Sequence, residues 1–159
     1  MATHSSPEII RRLLTGTRSW AVVGCSPDAR RDSHRVARLL QSRGFRVIPV
    51  NPHVEQLLGE PCYPRLADIP TSDNVEVVDI FRRADQAGAH VDEAIEIGAT
   101  AVWMQLGVID EPAAERALAA GLLVVMDRCP AIELARHGPP PGDRAPEAGR
   151  LTGNGSLDT

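Results

Sequence analysis

Five short apolar runs punctuate the chain, at residues 19–23, 46–50, 75–80, 101–105 and 122–126. Each is rich in valine or isoleucine and too continuous for a strand with one wet face, which predicts strands buried on both sides. Between the runs the apolar positions change to helical spacing. In SHRVARLLQSRG, Val36, Leu39 and Leu40 lie inward and Gly44 stands just past the end. QAGAHVDEAIEIG sets Val91, Ala94 and Ile95 inward and stops at Gly98, while DEPAAERALAAG has Asp110 as a cap, Pro112 in its first turn and Gly121 as a stop. A helix also precedes the first run: Ser6 caps it, Pro7 suits its first position, Ile9, Ile10, Leu13 and Leu14 share a face, and Gly16 ends it.

Strand and helix therefore alternate. With right-handed crossovers, the pattern predicts a doubly wound α/β fold: a parallel five-stranded sheet with helices on both faces. Residues 53–74 carry only short helical hints, at 54–58 and 65–69, and are expected to wrap one sheet edge. From Gly138 the text turns to Pro and Gly with few apolar residues, so residues 1–137 are read as one domain and 138–159 as a flexible tail. No internal repeat is visible.

Composition narrows the function. A net charge of −4 argues against a nucleic-acid backbone as the main ligand, and five aromatic side chains give little material for base stacking. All 17 basic residues are arginine, which excludes a P-loop lysine, a pyridoxal Schiff base and other lysine chemistry. Cys25, Cys62 and Cys129 are odd in number and lack zinc-ligand spacing, so neither a disulfide framework nor a metal site is expected. No apolar run is long enough for a membrane span and no signal sequence is evident, so a soluble cytoplasmic protein is expected.

In a doubly wound sheet, ligands bind beyond the carboxyl ends of the strands, where the strand order reverses. The first strand is followed by Gly24, Cys25, Ser26 and Pro27, where a dinucleotide fingerprint would carry two further glycines. Gly24 allows close approach of a ligand, Ser33 is expected to cap the next helix, and that helix N-terminus with Arg30 and Arg31 favours a phosphate. Equally open is a Ser33 that only caps and arginines that are only solvated. After the second strand stand Asn51 and Pro52, which suit a ribose or an adenine edge but equally a plain turn. After the third come Phe81 and Arg82, the arginine meeting either a phosphate or a surface carboxylate, Asp79 or Asp85. Gln105, followed by Leu106, Gly107 and Val108, offers both a donor and an acceptor to an amide-bearing ligand. Trp103 is read as core. His34 falls in a first helical turn, His53 and His90 are expected to be exposed, and no Ser, His and acid form a hydrolase elbow. The silence of the histidines points to binding.

The stretches VVGCSPDARRDSHRVARLL, GFRVIPVNP, VEVVDIFR, AVWMQLGVID and AGLLVVMDRCPAIE together resemble the small stand-alone CoA-binding proteins related to the CoA-binding domain of the succinyl-CoA synthetase α subunit. The resemblance runs over residues 9–136 in unbroken motif order. It implies a Rossmann-like domain in which Gly24, Cys25, Ser26 and Pro27 hold the phosphates of coenzyme A. Asn51 and Pro52 would lie along the nucleotide, with Phe81, Arg82, Gln105, Leu106, Gly107 and Val108 lining the rest of the cleft. The synthetase's phosphorylated histidine belongs to a second domain that this chain does not include, so ligase activity does not travel with the resemblance. Many relatives carry alanine in place of Cys25.

Three functions follow as expectations. Foremost is a module that binds coenzyme A or an acyl-CoA without catalysis of its own. An NAD(P)-dependent enzyme would share the fold but lacks the glycine loop and the acidic strand end. A thiol-linked sensor or CoA-disulfide carrier would use Cys25, its pKa lowered near helix amides, with Cys129 at the same edge. A homo-oligomer or a protein partner is left open, with residues 54–58 as one possible interface.

Overall fold

The computed structural model describes residues 3–138; the remainder of the tail expected from residue 138 lies outside the described residues. Helix α1 (Pro7–Gly16) precedes β1 (Ser19–Val23), α2 (Asp32–Ser42) and β2 (Arg46–Val50). A two-strand excursion, β3 (Gln56–Leu57) and β4 (Glu60–Pro61), leads to β5 (Val77–Ile80). The chain then alternates through α3 (Ala84–Glu96), β6 (Ala101–Met104), α4 (Glu111–Ala119), β7 (Leu123–Val125) and α5 (Pro130–His137). Two of the three expected caps form: Ser6 Oγ accepts from Ile9 N at 3.2 Å and Asp110 Oδ1 from Ala113 N at 3.1 Å.

The main sheet is five-stranded and parallel throughout, in the order β2-β1-β5-β6-β7. The chain leaves β1 for β2 on one side and reaches β5 on the other, so the order reverses between β1 and β5. Both faces are covered, which is why the strands read as unbroken apolar runs. On one face Ala21, Val78, Val102 and Val124 meet the small inward side of α3 and α4, including Ala87, Val91, Ala113 and Ala117. On the other, Trp20, Val22, Val77 and Trp103 meet Leu13 and Leu14 of α1, Val36 and Leu40 of α2, and Leu134 of α5. Trp103 is indeed core: it is fully buried, stacks at a tilt on Trp20 with centroids 5.4 Å apart, and its Nε1 donates to Arg128 O at 2.9 Å. That last bond pins the segment leading into α5.

Two local expectations need correction. Residues 54–58 do not turn helical. Leu58 (φ 55°) and Gly59 (φ 77°) make a left-handed two-residue turn, and β3 and β4 pair as a small antiparallel hairpin across it. Leu57 is buried and Leu58 packs against the same core, so tertiary burial overrides the helical spacing. His90 is half-buried rather than exposed, with Nδ1 2.9 Å from Glu93 Oε1. The hint at 65–69 becomes a single 3-10 turn, Leu66–Asp68. The excursion does wrap an edge: Tyr63 N donates to Pro49 O at 3.1 Å and Asn51 N to Tyr63 O at 2.9 Å, extending the sheet beside β2. Helix α5, absent from the sequence reading, starts on Pro130 and buries Pro130, Glu133 and Leu134.

Candidate functional site

At the reversal of strand order the loops that leave the carboxyl ends of β1 and β5 lead to helices on opposite faces of the sheet and form a cleft. Gly24 makes this possible. It has φ 82°, and a Cβ there would stand 2.4 Å from Phe81 O, so only glycine lets the β1 loop settle onto the end of β5. On its other side Gly24 N donates to Val50 O at 3.0 Å.

Beyond Gly24 the loop satisfies many of its own polar groups. Ser26 N donates to Ser33 Oγ and Asp28 N to Ser26 Oγ, both at 3.0 Å, while His34 Nδ1 donates to Ser26 O at 2.9 Å. Ser33 is therefore not the helix cap expected from the sequence: it is buried inside the first turn and anchors the loop. The cap position falls to Arg31, whose side chain makes no capping bond, so the first amides of α2 carry no side-chain cap. That is the geometry in which a helix N-terminus attracts an anion. Pro27 is exposed on the outer turn. Arg30 pairs with Asp28 at 3.1 Å, and its hydrogen bonds hold the Asp28 carboxyl below its ordinary pKa.

Two compartments share Asp32, Phe81, Gln105 and Leu106 and so form one continuous cleft. The first, about 510 Å³, is cationic: Gly24, Ser26 and Ser33 form its floor, and Arg30, Arg31, Arg82 and Arg83 its rim, with Val108 behind. Arg82 meets neither Asp79 nor Asp85; its Nη2 donates to Gln86 Oε1 at 2.7 Å. The second compartment, about 480 Å³, lies between α2 and α5 and is mostly apolar, with Val36 and Leu39 on one wall and Cys129, Ala131 and Ile132 on the other. Residues 105–108 turn over the junction, held by Val108 N to Gln105 O at 2.8 Å and Gly107 N to Asp127 Oδ1 at 2.7 Å. Leu106, 61% exposed, stands at the mouth.

Thus nine of the residues expected at the site line the cleft, Gly24, Ser26, Arg30, Ser33, Phe81, Arg82, Gln105, Leu106 and Val108, while Pro27 and Gly107 only belong to its loops. Asn51, Pro52 and Cys25 do not line it. Asn51 spends both ends of its amide inside the protein, Nδ2 donating to Cys25 O at 2.8 Å and Oδ1 accepting from His53 N at 2.7 Å. It straps the β1 loop to the β2 loop, and Pro52 beside it is exposed. The Cys25 thiol is turned into the core with no exposed surface, and burial, then the nearby Cys62 and Asp79, push its pKa up to about 12. The lowered thiol expected from helix amides is therefore corrected: an enclosed thiol is neutral and inert. Among the described residues no group of three or more His, Cys, Asp or Glu side chains could hold a metal, and no helix is long and apolar enough to cross a membrane.

Asp79, expected as a surface carboxylate, belongs beneath the site instead. It stands on β5 between Val22 and Trp103 in register and is fully buried, not a surface partner for Arg82. Gln105 Nε2 donates to its Oδ1, while Oδ2 has no partner. Burial raises its carboxyl to about pKa 8 against the opposing effect of the Gln105 hydrogen bond. The signal was present: an acid at an inward position of a run predicted to be buried on both faces. Cys129, expected at this edge only in the thiol reading, lines the apolar compartment, and Ile132 was not foreseen because α5 was not.

The fold and the cleft define a doubly wound α/β domain with an open cleft at its topological switch point. Comparison with known proteins narrows this class. Residues 18–135 match the family described as CoA binding domain. The chain is 33% identical over 120 residues to the uncharacterized protein YneT of Bacillus subtilis (strain 168), covering 76% of this chain and 87% of that one. A hypothetical protein from Pyrococcus horikoshii OT3 superposes with a TM-score of 0.78 at 38% identity, covering 86% of this chain and 97% of that one. The dinucleotide forming acetyl-coenzyme A synthetase 1 of Ca. Korarchaeum cryptofilum matches at a TM-score of 0.63 and 26% identity, over 74% of this chain but only 28% of the synthetase. The chain belongs to the CoA-binding domain family, small members and a synthetase domain alike sharing its architecture.

Proposed function

We propose that the protein binds coenzyme A or an acyl-CoA in this cleft and performs no chemistry of its own. The observation that carries the reading is the change of character along one continuous cavity. Its first compartment gathers four arginines around an uncapped helix N-terminus, which suits the diphosphate and the 3′-phosphate. Its second is an apolar slot between α2 and α5, suited to the thiol end or an acyl group, and Gln105 stands where the two meet, within reach of a pantetheine arm. Cys25 and Asn51 serve the site indirectly in this reading, through the packing and strapping of the β1 loop.

The test is thermal denaturation of the full-length protein with coenzyme A, dephospho-CoA, NAD and ATP in parallel. A ligand at 100 times its Kd stabilises the native state by about 2.7 kcal/mol, which raises the midpoint by several degrees. The expected order is coenzyme A first, dephospho-CoA smaller, NAD and ATP least. A rise with NAD and none with coenzyme A overturns the proposal in favour of a nicotinamide cofactor.

A further inference from the structure

Asp79 costs the fold stability that an apolar residue of similar size would not. Its Oδ2 is, among the described residues, the buried side-chain oxygen without a hydrogen-bond partner, and it lies under a sheet face otherwise built of Trp20, Val22, Val77 and Trp103. An unpaired polar atom in such a place is destabilising relative to an apolar isostere. The stability of the core therefore does not account for the residue.

Its other oxygen points to what does. Asp79 Oδ1 accepts from Gln105 Nε2, and Gln105, 6% exposed, lines both compartments of the cleft. A primary amide has one donating and one accepting end. With one of the two Nε2 hydrogens given to Asp79 the amide's orientation is set, and the carbonyl oxygen Oε1, which makes no hydrogen bond within the described residues, is left as its acceptor. Lacking the carboxyl below it, the amide would be free to present either end.

We infer that Asp79 is a positioning residue: by holding Gln105 Nε2 it fixes Oε1 as an acceptor at the junction of the two compartments, so the site selects a ligand that offers an N–H donor there. The inference rests on the coenzyme A reading, whose ligand carries two secondary amides in its pantetheine arm. A secondary amide N–H is the donor that fits Oε1. Asp79 itself touches no ligand.

The test compares full-length wild type, Asp79→Leu and Asp79→Asn by calorimetric titration with coenzyme A and with adenosine 3′,5′-bisphosphate, which lacks the pantetheine arm, alongside denaturant unfolding. Leucine removes both the acceptor and the unpaired oxygen. Asp79→Leu is expected to equal or exceed wild type in stability yet bind coenzyme A about tenfold more weakly, the worth of one buried hydrogen bond. Its affinity for adenosine 3′,5′-bisphosphate stays unchanged. Asparagine keeps an acceptor, so Asp79→Asn holds coenzyme A within about twofold of wild type although its new buried amide lowers stability. A purely structural Asp79 would make affinity follow stability in both variants. Should the leucine variant fail to fold, Gln105→Met gives the same comparison: selective loss for coenzyme A is expected, and undiminished binding overturns the inference. Equal weakening of both ligands in Asp79→Leu, or none, overturns the positioning role while leaving the coenzyme A reading intact. A wild type that binds neither ligand removes that reading itself, and the inference with it.

Discussion

At Gly24 a single methyl group would stand 2.4 Å from Phe81 O and 3.3 Å from Arg82 Cδ, on a backbone already at φ 82°. Gly24→Ala is expected to cost roughly 1–3 kcal/mol from backbone strain, before the clash is counted, and to shift the β1 loop off the end of β5. Denaturant unfolding checks this; a variant as stable as wild type would show that the close approach is not required. Asp79 gives a second residue-scale expectation through pH. Its carboxyl titrates in the ordinary range when unfolded but near 8 when folded. As pH rises through that interval the unfolded state releases the proton and the folded state keeps it, so stability falls with pH. Asp79 contributes up to about 1.4 kcal/mol per pH unit to that slope. Cys25, pushed up to about 12, and Cys62, also raised by burial, stay neutral across the interval. The difference in unfolding free energy between wild type and Asp79→Asn should therefore shift with pH from the ordinary carboxyl range to about 8 and level off above it. A pH-independent difference contradicts a buried neutral Asp79. Gly24 was legible in the sequence because a glycine after a buried strand has few other reasons to be there. The role of Asp79 was not, because it depends on Gln105, which only the pairing of β5 with β6 brings beside it.

Among the elements, the five strands and the first four helices were legible from their apolar spacing, with the caps of α1 and α4 in agreement and the cap expected of Ser33 on α2 not formed. The Gln56–Pro61 region was not: VEQLL has helical spacing, and the left-handed turn that defeats it falls partly on Leu58, a residue type that rarely adopts it. Helix α5 spans only eight residues, too few to announce themselves by period alone, although Pro130 at its start is a usable signal. The omission mattered, because α5 supplies one wall of the apolar compartment and α2 the other. Ile132, 43% exposed on that wall, offers a clean probe. Ile132→Asp should leave stability nearly unchanged and weaken a medium-chain acyl-CoA more than coenzyme A itself, by about tenfold for the burial of about two methylenes lost to a charged wall. Equal affinities for the acylated and free coenzyme in both proteins would place the acyl group elsewhere.

Across the whole molecule, a net charge of −4 conceals a local excess of the other sign. Arg30, Arg31, Arg82 and Arg83 converge from two chain segments because α2 and α3 both begin at the carboxyl edge beside the switch point. That convergence was foreseeable for each strand end separately, but the joining of a cationic and an apolar compartment through Gln105 depends on how the helices lie over the sheet, which a linear pattern does not carry. The sheet also has a second groove, about 410 Å³, at its opposite edge near Leu66, Asn74 and Gly98. It provides an internal control for the most direct measurement of the central claim: amide chemical shifts of the full-length protein during titration with coenzyme A. Changes are expected at residues 24–33, 81–83, 105–108 and 129–132, with saturation at a single affinity and little movement near residues 66–75 and 96–98. Changes centred on the opposite groove, or none at millimolar coenzyme, would contradict a coenzyme site at the switch point.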